Sequence, residues 1–138
     1  ASGGTPFLDG RNKPQAEGQN LIVYGHNMLD GSMFKPLLQY LTPNFQVTHE
    51  DIYLELNGAQ YHYQVIAALE TNTRSPVYTY TDLNNTAEME DFRAALLEET
   101  SLDAVPQAEG YLTLSTCNDQ GGNSRVLVVA ALAGEVTR

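Results

Sequence analysis

Short apolar and alternating segments recur along the chain and predict a protein built mostly of β-strands. Residues 21–24 form a short apolar run. Apolar and polar side chains alternate over residues 52–56 and again over residues 61–70. The Asn57-Gly58 pair between these two segments favours a tight turn, because both residue types accept a positive φ. The two segments are therefore predicted to form a β-hairpin.

Two further strands are predicted near the end of the chain, over residues 112–116 and 126–132. The second is apolar at every position, whereas a strand with one face in water shows alternation. It is therefore expected to lie in the centre of the sheet.

Two other segments have the spacing of amphipathic helices. Their apolar residues recur three or four positions apart: Met33, Phe34, Leu37, Leu38 and Leu41 in the first, and Met89, Phe92, Ala95 and Leu96 in the second. The hydroxyl of Thr86 is expected to cap the second helix. The predicted fold class is mostly β, an antiparallel β-barrel or sandwich with two peripheral helices.

Length and composition predict one globular domain that covers residues 1–138, with 42% hydrophobic and 17% charged residues. The net charge of −10 repels phosphate backbones, so no nucleic-acid partner is expected. Eight acidic residues and a single basic one, Arg93, lie between Asp82 and Glu109. We interpret this acidic segment as a solvated helix face.

The chain shows neither a signal peptide at its first residues nor an apolar run of the roughly 18 residues that a membrane span needs. Two expectations follow from this pattern. Either the protein is cytosolic, or a front end with any membrane anchor precedes this chain.

The inventory of chemical motifs is short. A P-loop, a GxGxxG motif and an HExxH motif are absent, and the three histidines are too scattered to argue a metal site. No cofactor or metal is therefore predicted. The single cysteine excludes an intramolecular disulfide and a cysteine-cluster zinc site.

Three residues are candidates for catalysis because each stands at the end of a predicted strand. Cys117 ends an apolar strand before a polar loop, His26 follows the strand at residues 21–24, and Arg125 opens the last strand. Each has a plainer interpretation: a packed core thiol, a surface histidine, and a solvated or ion-paired arginine.

Taken together, these positions resemble the sortase family, and class B sortases in particular. The resemblance rests on NLIVYGHNM at residues 20–28, DGSMF at 30–34, TLSTC at 113–117, and an arginine before the last apolar strand. It extends from about Phe7 to Leu132. The second predicted helix resembles the extra helix that class B members insert between two late strands, and nothing resembles the aromatic lid motif of pilus-type sortases.

The resemblance implies a cysteine transpeptidase at the outer face of a Gram-positive cell. Cys117 would attack the carbonyl after threonine in an NPxTx-type sorting signal of a surface protein, and an amine of a cell-wall precursor would resolve the thioacyl enzyme. His26 would serve as acid and base, and Arg125 would stabilise the oxyanion. Tyr24 and Ser115 match positions that line the substrate groove, and Thr116 is a candidate for supporting the oxyanion site.

Family members place a membrane anchor, a helix and the first barrel strands before the segment at which this chain begins. We therefore expect residues 1–138 to be the C-terminal part of a longer catalytic domain, completed by an N-terminal fragment or a second copy. Three alternatives stay open. The chain is an inactive fragment or pseudoenzyme that acts by binding or strand exchange, a sortase of another class such as a pilus-polymerising one, or a cytosolic thiol hydrolase.

Overall fold

The computed structural model of the chain describes residues 6–25, 35–117 and 122–136. Within them, six strands form one sheet in the spatial order β1-β2-β5-β6-β4-β3. The strands are β1 (Phe7–Leu8), β2 (Asn20–Gly25), β3 (Asp51–Leu56), β4 (Ala59–Asn72), β5 (Tyr111–Cys117) and β6 (Ser124–Glu135).

Strand β6 is central, as its apolar sequence predicts. It lies between β5 and β4 and pairs antiparallel with both. Residues 126–130 are each no more than 1% exposed, so both faces of this strand are covered. The mostly β architecture is therefore confirmed.

One pair of strands differs from the expected antiparallel arrangement, because β2 and β5 run parallel. The chain leaves β2, forms the β3–β4 hairpin and a helix, and re-enters the sheet at the end where β2 begins. A crossover connection of this kind produces a parallel pair. As a result, β2 and β5 end at the same edge of the sheet.

The predicted hairpin is confirmed. Strands β3 and β4 pair antiparallel down to Leu56 and Ala59. Asn57 and Gly58 have φ values of 51° and 85°. Two positive φ angles at the centre of a two-residue turn match the right-handed twist of the flanking strands, which explains why this dipeptide connects them.

The described part of the first predicted helix is a 3₁₀ helix, and a short α-helix that was not predicted follows it. A 3₁₀ helix covers Lys35–Leu41 and an α-helix, α1, covers Pro43–Thr48. The proline at position 43 lacks a backbone N–H, so it ends one helix and suits the first turn of the next. Met33 and Phe34, at the start of the predicted helix, lie outside the described residues.

The second predicted helix is present as α2 (Thr86–Glu98), but its cap lies one residue earlier than expected. The Asn85 side chain accepts a hydrogen bond from the backbone N–H of Glu88 at 2.8 Å. An amide oxygen at the N-cap satisfies a free helical N–H as well as a hydroxyl does, which explains the shift from Thr86. The helix carboxylates at 88, 90, 91 and 98 are exposed, consistent with a solvated acidic face.

The sheet separates two hydrophobic clusters. One contains Leu21, Leu112 and Val128 and is covered in part by the first 3₁₀ helix. The other contains Leu127 and Val129 and is covered by α2 and a second 3₁₀ helix at Pro76–Thr79. Among the described residues, none of the helices is both long and apolar enough to cross a membrane.

Candidate active site

Three neighbouring strands bring the sequence-predicted positions together at one edge of the sheet. In the parallel β2–β5 pair, Tyr24 lies opposite Ser115 and Gly25 opposite Thr116. In the antiparallel β5–β6 pair, Cys117 lies opposite Arg125. The side chain of Cys117 and all of His26, which follows Gly25 in the sequence, lie outside the described residues.

The strand register also decides which side chains share a face of the sheet. Ser115 is paired with Leu127, and Arg125 precedes Leu127 by two positions. Side chains of paired residues and of residues two apart lie on the same face. Tyr24, Ser115 and Arg125 therefore share the face that α2 covers, and Thr116 faces the opposite way.

Arg125 is half-buried and held by the turn that precedes β6. Its Nη1 donates to the backbone oxygens of Gly122 at 2.9 Å and Ser124 at 2.7 Å. Over the described part of the chain, no carboxylate forms an ion pair with it. The guanidinium thus keeps its charge and several N–H donors beside the backbone of Cys117.

Ser115 is 1% exposed and its hydroxyl is bonded to a tyrosine that the sequence analysis missed. The hydroxyls of Ser115 and Tyr78 are 2.6 Å apart. Tyr78 comes from the 3₁₀ helix at Pro76–Thr79, in which Pro76 favours the first helical position and the Ser75 hydroxyl accepts from the N–H of Val77. This short helix has no apolar periodicity that would have revealed it.

Tyr24 stands between two aromatic rings at the end of β2. Its ring stacks on Phe7 with centroids 5.4 Å apart and on Tyr78 at 6.2 Å. Its hydroxyl donates to Asp9 Oδ2 at 2.6 Å. Burial, and then the Asp9 carboxylate, raise the pKa of Tyr24 above its usual range, so the hydroxyl stays protonated.

Asp9 and Arg11 form a second feature that the sequence analysis missed. Arg11 donates to both carboxylate oxygens of Asp9 at 3.0 Å. These hydrogen bonds from Arg11, with help from the Tyr24 hydroxyl, hold the pKa of Asp9 well below its usual range, although burial opposes the shift. The two residues lie in a loop and are separated by one glycine, so the hydrophobic periodicity that identifies strands and helices does not reveal them.

Thr116 is 1% exposed, and its hydroxyl has no hydrogen-bond partner among the described residues. Its backbone immediately precedes Cys117, whereas its side chain lies on the face opposite Ser115. An unpaired buried hydroxyl is uncommon in proteins, because its desolvation is uncompensated.

A separate cleft lies elsewhere among the described residues. It has a volume of about 470 Å³ and is lined in part by Glu17, Glu109 and Glu135, at the end of β6 far from Arg125. In the described segments, no group of three or more histidine, cysteine or acidic side chains is arranged to hold a metal ion. The strand-end cluster is therefore the better candidate for chemistry, because it combines a charged donor with buried hydroxyls beside a cysteine.

Comparison with known proteins identifies the family. The family model described as the sortase domain matches residues 2–133. The chain is 35% identical over 123 residues to sortase B of Listeria monocytogenes, an alignment that covers 87% of this chain and 50% of that protein. It is 32% identical over 138 residues to sortase B of Staphylococcus aureus, covering 94% and 54%.

The solved structures agree. The sortase B–substrate complex of Staphylococcus aureus has a TM-score of 0.77 at 29% identity and covers 96% of this chain and 63% of its own. A sortase B complexed with Gly3 has a TM-score of 0.74 at 29% identity, and the match covers 96% of this chain and 64% of that structure's chain. Sortase B from the type II pilus of Streptococcus pneumoniae scores 0.80 at 25% identity, covering 95% and 77%.

The chain therefore belongs to the sortase family. The relatives and structures above are all sortase B proteins, which confirms the resemblance to class B. The chain spans about half the length of the curated relatives it matches.

Proposed function

We propose that this protein is a cysteine transpeptidase that cleaves an NPxTx-type sorting signal after threonine and transfers the acyl group to an amine. The observation that carries the proposal is the strand register. The chain forms a sortase fold in which Cys117 is paired with Arg125 and in which β2 ends beside them, one residue before His26.

The proposed reaction has two stages. The Cys117 thiolate adds to the carbonyl carbon of threonine, and the tetrahedral intermediate collapses to a thioester as the amine of the following residue leaves. His26 gives a proton to that amine and later takes one from the incoming amine. The second amine attacks the thioester, forms a new amide and releases the thiolate.

Arg125 is suited to the developing oxyanion. Two backbone carbonyls hold its Nη1, and its remaining donors and full charge are available on the face that Tyr24 and Ser115 share. A fixed donor costs little reorganisation when negative charge develops on the carbonyl oxygen.

The substrate groove is proposed to run along this same face. Tyr24 and Ser115 line it from two adjacent strands, each two residues before a proposed catalytic residue. Thr116 supports the oxyanion site through its position next to Cys117, since its side chain lies on the other face of the sheet.

The relatives support the proposed partners and location. A sortase B has been solved with substrate and another with Gly3, so a sorting-signal peptide and a small amine are the ligands proposed for this chain. The cargo would be surface proteins that carry a C-terminal sorting signal, and the acceptor a cell-wall precursor amine. We place the reaction at the outer face of the membrane of a Gram-positive bacterium.

The direct test replaces the nucleophile. Cys117→Ala should show no cleavage of a fluorescent NPxTx peptide above background, because the chain has no other thiol to form the thioester. Intact-mass analysis of the wild-type protein with peptide should detect an acyl adduct on Cys117. Ser101→Ala, in an exposed loop, is the control and should keep wild-type turnover.

Undiminished cleavage by Cys117→Ala, or an adduct elsewhere, would rule out the cysteine mechanism. A wild-type protein that forms no adduct and cleaves no peptide would instead support the pseudoenzyme alternative.

A pilus-polymerising role is the second candidate, favoured by the TM-score of 0.80 to sortase B of a type II pilus. The chemistry at Cys117 would be the same, and the acceptor amine would belong to a protein subunit. Offering triglycine and a purified pilin-type subunit to the acylated enzyme separates the two, since product forms only with the correct acceptor.

A further inference from the structure

We propose that Asp9 is a positioning residue for the substrate groove: with Arg11 it clamps Tyr24 and the helix that carries Tyr78 in the arrangement that the substrate meets. The inference rests on the proposed function. It concerns a loop and a 3₁₀ helix that lie outside the strand ends at which the chemistry occurs.

The Asp9 carboxylate accepts four hydrogen bonds. Oδ1 accepts from the backbone N–H of Arg11 at 2.9 Å and from its Nε at 3.0 Å. Oδ2 accepts from Arg11 Nη2 at 3.0 Å and from the Tyr24 hydroxyl at 2.6 Å. The Asp9 side chain is only 10% exposed, whereas that of Arg11 is 52% exposed, so the bond from the Tyr24 hydroxyl is the best shielded of the four. Together these charge-assisted bonds fix the orientation of the carboxylate.

Arg11 extends the clamp to a second element. Its Nη2 also donates to the backbone oxygen of Tyr78 at 2.7 Å. One guanidinium therefore connects the loop after β1 with the 3₁₀ helix at Pro76–Thr79. A lysine ammonium lacks the planar fork that makes both connections at once.

The loop that carries the clamp is itself anchored to β2. The backbone N–H of Asp9 donates to the Ile22 oxygen at 2.8 Å. The Asn12 side chain accepts from the Ile22 N–H and donates to the Asn20 oxygen, each at 2.9 Å. Asp9 is thus held in place before any substrate binds, which is the condition for a preorganised groove.

The clamp connects to the proposed groove through two aromatic side chains. The rings of Tyr24 and Tyr78 are nearly parallel, at 6°, and the Tyr78 hydroxyl is bonded to Ser115. Tyr24 and Ser115 are the two groove residues of the proposed function. Loss of the carboxylate would free the Tyr24 phenol and loosen the attachment of the Tyr78 helix.

The pKa shifts of Asp9 and Tyr24 keep the clamp in one protonation state around neutral pH. Because the Arg11 guanidinium lowers the pKa of Asp9, the ionised carboxylate stabilises the fold at any pH above its usual pKa of 3.8. This stabilisation is lost only as the pH falls below 3.8. Burial raises the pKa of Tyr24 above 10.0, so its hydroxyl remains a donor at neutral pH. Asp9 does not exchange protons in the working range.

The test is a double-mutant cycle on the purified protein with Asp9→Asn, Tyr24→Phe and both together, assayed with the NPxTx peptide. Each single variant should lower kcat/KM by about tenfold, mainly through KM, because the strand register of Cys117 and Arg125 is untouched. The kcat/KM of the double variant should be no lower than that of the more impaired single variant, because both substitutions break the same contact between Asp9 and Tyr24. Asp103→Asn, an exposed carboxylate, is the matched control and should behave as wild type.

A second readout does not depend on activity. In protein labelled with [¹³Cζ]tyrosine, the NMR signal that disappears in Tyr24→Phe identifies Tyr24. In Asp9→Asn, the pKa of that tyrosine should fall but stay above 10.0, because burial is the larger cause of its shift. The pH profile of kcat should keep its shape.

Three outcomes would overturn the inference: kcat/KM of Asp9→Asn within twofold of wild type, losses that add in the double variant, or a fall in kcat with KM unchanged. If Asp9→Asn does not fold, Arg11→Lys takes its place, because lysine keeps the charge but cannot bond both Asp9 oxygens and the Tyr78 oxygen at once; kcat/KM within twofold of wild type would then overturn the inference. An inactive wild-type protein would refute the proposed function and the inference together, whereas an active wild type with undiminished variants would refute the inference alone.

Discussion

At the scale of single residues, Arg125 offers the sharpest distinction between charge and geometry. Arg125→Lys keeps the positive charge but loses the planar guanidinium, in which Nη1 bonds two backbone carbonyls while the other N–H groups remain as donors. The variant should fold normally and lose about 10²-fold in kcat, the effect of removing one oxyanion donor. Steady-state kinetics with the sorting-signal peptide measure this loss.

The control for Arg125→Lys is Arg74→Lys, an exposed position whose change should leave turnover at the wild-type level. Full activity in Arg125→Lys would reduce the role of Arg125 to that of a general positive charge. A large drop in melting temperature would instead assign it a structural role in the turn before β6.

The sequence predicted which strand positions meet at one edge of the sheet, and their roles in catalysis stay a prediction. Strand ends and the TLSTC and YGHN segments can be recognised in the sequence, and they singled out Tyr24, Ser115 and Arg125. The structure brings these three residues to one edge of the sheet. Asp9 and Tyr78 were missed because a loop supplies the first and a short 3₁₀ helix without apolar periodicity supplies the second. Their roles depend on contacts between segments 67 positions apart, such as Arg11 with the Tyr78 carbonyl, which no local pattern encodes.

At the scale of elements, local chemistry predicted the regular parts well. The Asn57-Gly58 turn and the apolar β6 are specified by neighbouring residues, and both are observed. The parallel direction of β5 was not predictable in this way, because it depends on where the chain re-enters the sheet. The 3₁₀ helix at Lys35–Leu41 was predicted as an ordinary helix, since apolar spacing alone does not distinguish the two.

The start of β5 depends on Gly110, the residue that directly precedes this strand. A Cβ at this position would lie 2.1 Å from the backbone oxygen of Ala16, and backbone cannot move aside as a flexible side chain can. Gly110→Ala should therefore lower the free energy of unfolding by about 1–3 kcal/mol. Denaturant titration measures the change.

The matched control for Gly110→Ala is Gly10→Ala, where no atom lies within 4 Å of the added Cβ. This variant should be neutral or slightly stabilising, because alanine restricts the unfolded chain. Equal stabilities of the two variants would mean that the loop around Ala16 adjusts freely and that it does not fix the start of β5.

At the scale of the whole molecule, the sheet has two outer strands, and they differ in how exposed they are to pairing. Among the described strands, β1 has only two residues, whereas β3 has six in regular alternation. A regular outer strand presents unpaired N–H and C=O groups that can pair with another chain. Tyr53 on this strand is 53% exposed, which adds an apolar surface.

We propose that a further segment of the protein or a second copy completes the barrel along this sheet, because the chain covers only 50–54% of the curated relatives it matches. Size-exclusion chromatography with light scattering should then show the purified 138-residue chain in an assembly larger than 15.1 kDa, either of several copies or with an N-terminal piece that copurifies with it. Tyr53→Lys should shift an assembly of copies towards monomer, since a charge on an outer strand opposes pairing. Glu55→Gln, an exposed substitution on the same strand, should leave the assembly unchanged.

A cooperatively melting monomer of 15.1 kDa without a companion peptide would show that these strands need no partner, and the proposal of a completed barrel would fail.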